Sequence, residues 1–349
     1  MGSSFKFKFL FLFLFGLSFL FAQVPANYYN LAVGKKNAEL KTALHQTIKP
    51  HTVLEYYSSS TSFRSTDWHP DGYFWDMYSS TKRTSWSGMN REHNMPKSWW
   101  STSPETTVAY TDLHNLYPSD ATANSAKSNY PLGVAGSKIS FSNGVVKVGY
   151  SSYPGYSNIV FEPANEYKGD FARDYMYMVT CYEDYATNWR STGTTSMLSN
   201  NSYPVFKPYA INLLLEWSRN DPVSEKEINR NNAVYKLQGN RNPYVDFPIL
   251  SEYVWGKHKD LAWNGDNSDP GKENVFYVSY NSETHSVFVK TDDPESSRFY
   301  IYNTSGVLLM HAASMNGEST IDVSGLEKGI YIIKNYSGTK RNVGKFVVN

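Results

Sequence analysis

Residues 90–100, Asn90-Arg91-Glu92-His93-Asn94-Met95-Pro96-Lys97-Ser98-Trp99-Trp100, set a carboxylate beside an imidazole and flank both with basic and aromatic side chains. These residue types suit phosphodiester hydrolysis. That reaction needs a base to deprotonate water and a divalent cation to neutralise charge growing on the phosphate and the leaving oxygen. Glu92 and His93 offer those two functions side by side. An adjacent acid and imidazole alone more often form a solvated surface pair; the longer string is more specific and reads as the core of a metal-dependent phosphodiesterase. A zinc-peptidase centre is not indicated, because the His-Glu-x-x-His helix is absent and His93 and His114 are far apart in sequence.

The Arg-Glu-His-x-x-Pro segment formed by Arg91, Glu92, His93 and Pro96, followed by Trp99 and Trp100, resembles the hallmark of the secreted bacterial endonuclease I family of non-specific nucleases. Four further segments match it in order. They are Asp112 to Pro118; Asn124 with Ser128 to Gly133; Glu162-Pro163 with Lys168 to Arg173 and Tyr177-Met178; and Asp221-Pro222-Val223 with Arg230-Asn231 and Gln238 to Tyr244. The resemblance implies an α+β protein with a ββα-metal nuclease core surrounded by helices. It assigns His93 as general base, with Glu92 and Asn124 as ligands of one Mg²⁺, for which Ca²⁺ or Mn²⁺ could stand. It also implies cleavage of DNA and RNA to 5′-phosphate ends. Arg91, Lys97, His114 and Lys127 are the candidate substrate contacts. For His114 a hydrogen-bonded structural role stands beside that reading. After Asn124 the commonest family pattern, Asn-Gly and then a basic residue, gives way to Ser125-Ala126-Lys127.

These residues need a scaffold that aims two neighbours at one place. Successive side chains of a regular strand face opposite ways, so Glu92 and His93 can share a site only where the strand ends, kinks or bulges, and Pro96 favours an early end. Two strands of a hairpin are expected between Trp86 and about Leu116, with a helix near Asn124. Leu40, Leu44 and Ile48 mark one apolar stripe of a helix over 36–48. Phe171, Tyr175, Met178 and Tyr182 predict an amphipathic helix from Glu166 to about Ala186, holding Cys181 as a small buried hydrophobe and Arg173 as an ion-pair partner or phosphate contact. Asp221-Pro222 reads as a helix start, with Glu225 and Glu227 in the first turn and Gly239 as the stop. Asn240-Arg241-Asn242-Pro243 suits either a structural loop under the site or a substrate contact.

The formal net charge of +1 over 349 residues does not mark a nucleic-acid binder by itself, but turnover requires only local positive charge, and Lys82, Arg83, Arg91 and Lys97 surround the site in sequence. Residues 1–22, basic at Lys6 and Lys8 and then rich in Phe and Leu, read as an export signal and not a membrane span. Cys181 is the single cysteine, so no intrachain disulfide can form. The expected organisation is a nuclease domain over 23–258, a polar linker over 259–273 and a small antiparallel β-sandwich over 274–349. Six short strands are expected in the last part, from Ser286 onward. Ile301-Tyr302-Asn303, Ile321 to Leu326, Gly329-Ile330-Tyr331 and the terminal Lys345-Phe346-Val347-Val348 resemble the C-terminal sorting domain of the type IX secretion system. That resemblance implies the secretion machinery as a partner and a secreted or surface-attached product, expected to be a monomer. The rival from another class is a surface adhesin or glycan binder, for which the 16% aromatic content would supply stacking surfaces.

Overall fold

The apolar stripe of Leu40, Leu44 and Ile48 forms one face of helix α1 (Asn37–Ile48), and all three side chains are fully buried. On the same helix His45 turns Nδ1 toward the backbone oxygens of Thr180 and Cys181, at 3.1 and 3.0 Å. The computed structural model describes residues 24–189, 197–270, 276–291, 297–314, 317–337 and 340–349; the expected export signal, residues 1–22, lies outside them, as do the last residues of the expected linker. Among the described residues no helix is long and apolar enough to cross a membrane. The chain divides into two units, Met1–Asn267 and Ser268–Asn349.

In the first unit α2 (Ser59–Thr66) precedes the two-residue strands β1 (Trp68–His69) and β2 (Tyr73–Phe74). Strands β3 (Met89–His93) and β4 (Leu116–Asp120) then form an antiparallel pair, and helix α3 (Ala121–Lys127) follows β4 without a loop. A second antiparallel sheet joins β5 (Ala135–Ser142), β6 (Lys147–Ser151) and β7 (Ile159–Glu162) in that order. Helices α4 (Lys168–Cys181), α5 (Pro208–Asn220), α6 (Glu225–Gln238), α7 (Pro243–Asp246) and α8 (Leu250–Val254) complete the unit.

Helix α4 departs from the amphipathic expectation, because every residue from Gly169 to Cys181 is buried. A helix buried all round can carry polar residues only if each finds a partner. Arg173 makes a bidentate pair with Glu227 at 2.6 and 2.8 Å, Asp170 accepts from Lys226 at 2.7 Å, and Asp174 accepts from Asn94 at 2.7 Å. Arg173 is therefore a structural ion-pair partner rather than a phosphate contact. Burial pushes the Cys181 thiol well above its ordinary pKa, as an inert packing residue requires. At Gly169 an added Cβ would lie 2.1 Å from the backbone oxygen of Asp221, so this close approach admits only glycine.

The start expected at Asp221-Pro222 is corrected to Glu225. Ser224 caps α6 through a capping box with Glu227, while Asp221 accepts a hydrogen bond from the Gly169 backbone at 2.7 Å and so serves α4. Gly239 ends α6 as expected, at φ +85°. The Asn240–Pro243 segment is a structural loop: Asn240, Arg241 and Asn242 are buried, and Arg241 binds Asp246 through two N–H groups at 2.7 Å each. Part of the segment read as linker packs into this unit, since Trp263 is buried and exchanges backbone hydrogen bonds with Gly34 and Lys35 at 2.7 and 2.8 Å.

The second unit is built of antiparallel strands. One sheet has the order β12 (Glu318–Asp322), β9 (Ser286–Thr291), β8 (Phe276–Asn281); the other runs β11 (Leu308–Ser314), β10 (Ser297–Asn303), β13 (Gly329–Ser337), β14 (Lys340–Val348). Val287, Val289 and Ile321 from the first sheet share a core with Phe299, Ile301, Ile333 and Phe346 from the second. Phe276–Asn281 is a strand beyond the six expected; its Phe276, Val278 and Tyr280 pack partly buried against that core.

Candidate active site

The pairing of β3 with β4 fixes the site. Met89 lies opposite Asp120, Glu92 opposite Tyr117 and His93 opposite Leu116. The second strand begins where the sequence reading placed its end, because residues 97–111 fold as three short 3-10 turns instead. Asp120 closes the arrangement: its Oδ1 accepts from the Thr122 and Ala123 backbone at 2.9 and 2.8 Å and caps α3, and Arg83 pairs with its Oδ2.

His93 is the last residue of β3. Beyond it Asn94 N–H still donates in register to the Asn115 backbone oxygen at 2.8 Å, but Met95 N–H turns to Asn115 Oδ1 at 2.7 Å, so the chain leaves the strand within two residues. The expected strand end is therefore present, and Glu92 and His93 both line one cavity of about 340 Å³. Asn124 of α3 lines it too, together with Arg91, Lys97, Tyr56 and Ser128.

The His93 ring is held on three sides. Nε2 lies 2.8 Å from the Tyr110 backbone oxygen, which can only accept, so Nε2 carries the proton and Nδ1 keeps its lone pair. Tyr110 and Tyr56 stack on the ring at centroid distances of 5.0 and 6.2 Å, and Trp100 meets it nearly edge-on at 5.8 Å. Burial lowers its pKa to about 4, the Tyr110 hydrogen bond opposing and Lys97 and Lys127 assisting, so the ring is neutral at neutral pH. Glu92 is buried as well. Its Oε1 accepts from Lys127 Nζ at 2.6 Å, and burial holds its pKa above the ordinary carboxylate range against that ammonium.

Two of the expected substrate contacts, Lys127 and His114, are withdrawn by burial, and a third, Arg91, is partly engaged. Lys127 is fully buried against Glu92, with Nζ also 3.5 Å from the His93 backbone oxygen, and presents no charge to solvent. His114 is buried outside the cavity, its Nε2 3.3 Å from the Asn240 backbone oxygen and its ring 4.5 Å from Tyr177; the structural alternative holds. Arg91 lines the cavity and is partly engaged, its Nε and Nη2 donating to Ser59 Oγ, Ser60 Oγ and the Tyr57 backbone oxygen at 2.7, 3.2 and 3.1 Å. Lys97 alone of the four is an exposed cavity cation, its ammonium 5.2 Å from the Tyr110 ring centroid. Tyr56 and the Tyr110 carbonyl were not named from sequence; a backbone oxygen carries no sequence signal, and Tyr56 is one of many tyrosines in an aromatic-rich stretch.

Among the described residues no group of three or more His, Cys, Asp or Glu side chains could hold a metal ion. The cavity instead brings together one carboxylate, Glu92, and two amides, Asn129 and the expected ligand Asn124. A carboxylate offers about four lone-pair directions, of which Lys127 takes one. Two hard oxygen donors with room for water and phosphate oxygens fit a hydrated Mg²⁺ rather than an all-protein cage.

Residues 36–249 match the family model described as Endonuclease I, and residues 273–349 match that described as a secretion system C-terminal sorting domain. The chain is 32% identical over 239 residues to the extracellular ribonucleases of Bacillus amyloliquefaciens and Bacillus subtilis (strain 168), covering 65% of this chain and 78% of each relative. It is 29% identical over 138 residues to endonuclease-1 of Buchnera aphidicola subsp. Baizongia pistaciae (strain Bp), covering 39% of this chain and 46% of that protein.

Proposed function

From the premise that this chain belongs to the endonuclease I family and is a nuclease, secreted or surface-attached through its type IX sorting tail, we propose a metal-dependent endonuclease that cuts DNA and RNA with little sequence preference. Enzymes of this family are generally dependent on a divalent metal. The reading makes residues 89–127 a ββα-metal core, with Glu92 and Asn124 holding the ion, Mg²⁺ first and Ca²⁺ or Mn²⁺ as alternatives. When bound, the ion supplies positive charge against the phosphate oxygens and the leaving 3′ oxygen.

The chain's own residues then do the following. Tyr110 fixes the His93 tautomer, and Nδ1 takes a proton from a water aligned for in-line attack on phosphorus. The bond between phosphorus and the 3′ oxygen breaks, leaving a 5′-phosphate. A phosphodiester entering the cavity brings negative charge beside His93 and raises its low pKa toward the pH of use, which strengthens the base where it is needed. Lys97 meets the phosphate from the open side of the cavity.

One observation carries this reading: Glu92, His93 and Asn124 meet in one cavity with the imidazole anchored through Nε2. The test is plasmid nicking with and without EDTA, followed by end-labelling of the products. Cutting that survives EDTA, or ends that resist labelling as 5′-phosphates, would count against it. The adhesin reading has no support of this kind.

A further inference from the structure

We infer that Tyr57 is a stacking platform for an unpaired nucleobase beside the cleavage cavity, so that the enzyme takes single-stranded nucleic acid in preference to duplex. This rests on the nuclease reading above and adds to it a substrate class.

The argument starts from Arg91. A motif arginine next to the proposed catalytic pair would be expected to meet phosphate, yet its Nε and Nη2 donors bind Ser59, Ser60 and the backbone of Tyr57. Its guanidinium sits among three rings, with Cζ 5.3 Å from the Tyr56 centroid, 5.4 Å from Trp86 and 5.8 Å from Tyr57. Arg91 therefore holds the Tyr56–Tyr57 corner in place. The two tyrosines play different parts there. Tyr56 lines the cavity and lies parallel to the His93 ring, with 4° between planes. Tyr57 packs steeply inclined on Tyr56, at 5.7 Å and 75°, and the residue is 81% exposed.

An aromatic residue so exposed gains little from burial. This one is nevertheless ordered, by a guanidinium and a neighbouring ring, while most of its surface stays open to solvent. That is what base stacking requires: a fixed apolar face with a cation behind it. The platform also lies within reach of the chemistry. Two ring-to-ring steps, 5.7 and 6.2 Å, lead from Tyr57 through Tyr56 to His93, a span of about one or two nucleotides of a single strand. A base inside a duplex has both faces covered by its neighbours and cannot stack on a side chain unless it leaves the helix. The preference for unpaired strands follows.

The experiment compares wild type with Tyr57→Ala, Tyr57→Phe and Tyr57→Trp on a single-stranded oligonucleotide and on a hairpin duplex of matched length, at one salt and one Mg²⁺ concentration. Tyr57→Ala should raise KM on the single strand ~5- to 50-fold with kcat within about two-fold. It should leave the duplex nearly unaffected, and Phe and Trp should restore the wild-type KM. Equilibrium binding of oligo(dT) in EDTA, where nothing turns over, should weaken by the same factor. Unchanged KM and binding in Tyr57→Ala, or an equal loss on both substrates, would overturn the inference while the enzyme remains a nuclease. A wild type that cuts neither substrate would remove the nuclease reading and this inference with it.

Discussion

Lys127 and Glu92 stand 35 residues apart in sequence and 2.6 Å apart in space, an ammonium and a carboxylate both withdrawn from solvent. The pair fastens α3 to β3, and Asn124 lies one turn before Lys127 on the same helix, so a single contact sets the spacing of both proposed metal ligands. Removing one partner of a buried pair typically costs about 3–5 kcal/mol, because the other charge is left uncompensated. Lys127→Met should lose stability of that order in urea denaturation with EDTA present, and added Mg²⁺ should return part of it. Lys127→Arg should lose less. An unchanged urea midpoint in Lys127→Met would mean that the pair contributes nothing.

His93→Ala should lower kcat by roughly 10² to 10⁴, the usual contribution of a positioned base. It should also cost about 1–3 kcal/mol of stability, because the Tyr110 oxygen loses its donor. Nicking rates and thermal melts measure the two effects separately. Activity above a tenth of wild type would place the base elsewhere.

Asn124→Ala and Glu92→Ala should each move the Mg²⁺ concentration for half-maximal rate upward, since so small a donor set holds the ion poorly once either is lost. Metal titrations at saturating DNA check this. A midpoint unmoved in Asn124→Ala would show that another residue completes the site.

Burial holds the His114 imidazole at about 4, below its ordinary value of 6.5. Between those two pH values the unfolded chain binds a proton that the native state refuses, so this histidine makes stability fall as pH is lowered from 6.5 toward 4, by up to about 1.4 kcal/mol per pH unit. Asp76 and Asp174, raised by burial to about 7, act in the opposite sense and favour the native state as pH falls below 7. The difference between wild type and His114→Gln isolates the histidine. Urea unfolding at pH 7, 6 and 5 should show the variant gaining stability relative to wild type as pH falls, and parallel curves would refute the neutral buried ring.

A protein truncated after Asn267, where the two units divide, should fold and cut DNA at the wild-type rate, since units with separate cores usually fold independently. In cells of the native host it should accumulate in the periplasm. Fractionation and nuclease assays read both. Export without the tail would remove its proposed sorting role, and loss of activity would make the tail part of the enzyme.

What could be read in the sequence was what short spacings decide. The stripe of Leu40, Leu44 and Ile48, the stop at Gly239 and the grouping of Arg91, Glu92 and His93 with Pro96 each rest on residues a few positions apart. What could not be read was decided by distant partners. Lys127 looked like a surface cation because its burial depends on Glu92, and His114 looked available because Asn240 and Tyr177 are remote in sequence. The start of α6 was misplaced because two helix-start signals compete within four residues and tertiary structure assigns Asp221 to α4. The continuous burial of α4 was hidden because its charged residues look solvent-facing until Glu227, Lys226 and Asn94 are brought alongside.

Glu92 and His93 are covalent neighbours, so about 3.8 Å separates their α-carbons whatever the rest of the protein does. Most catalytic pairs are assembled from distant segments, and thermal breathing can pull them apart before the molecule melts. Here one peptide bond fixes the α-carbon gap between the proposed base and the proposed cation ligand, while their side chains share the cavity only as long as β3 ends at His93 and Tyr110 holds the ring. Local opening at the end of β3 should therefore abolish activity without parting the two residues, and the nuclease should regain its centre as soon as β3 closes again on β4 and Tyr110 on the ring.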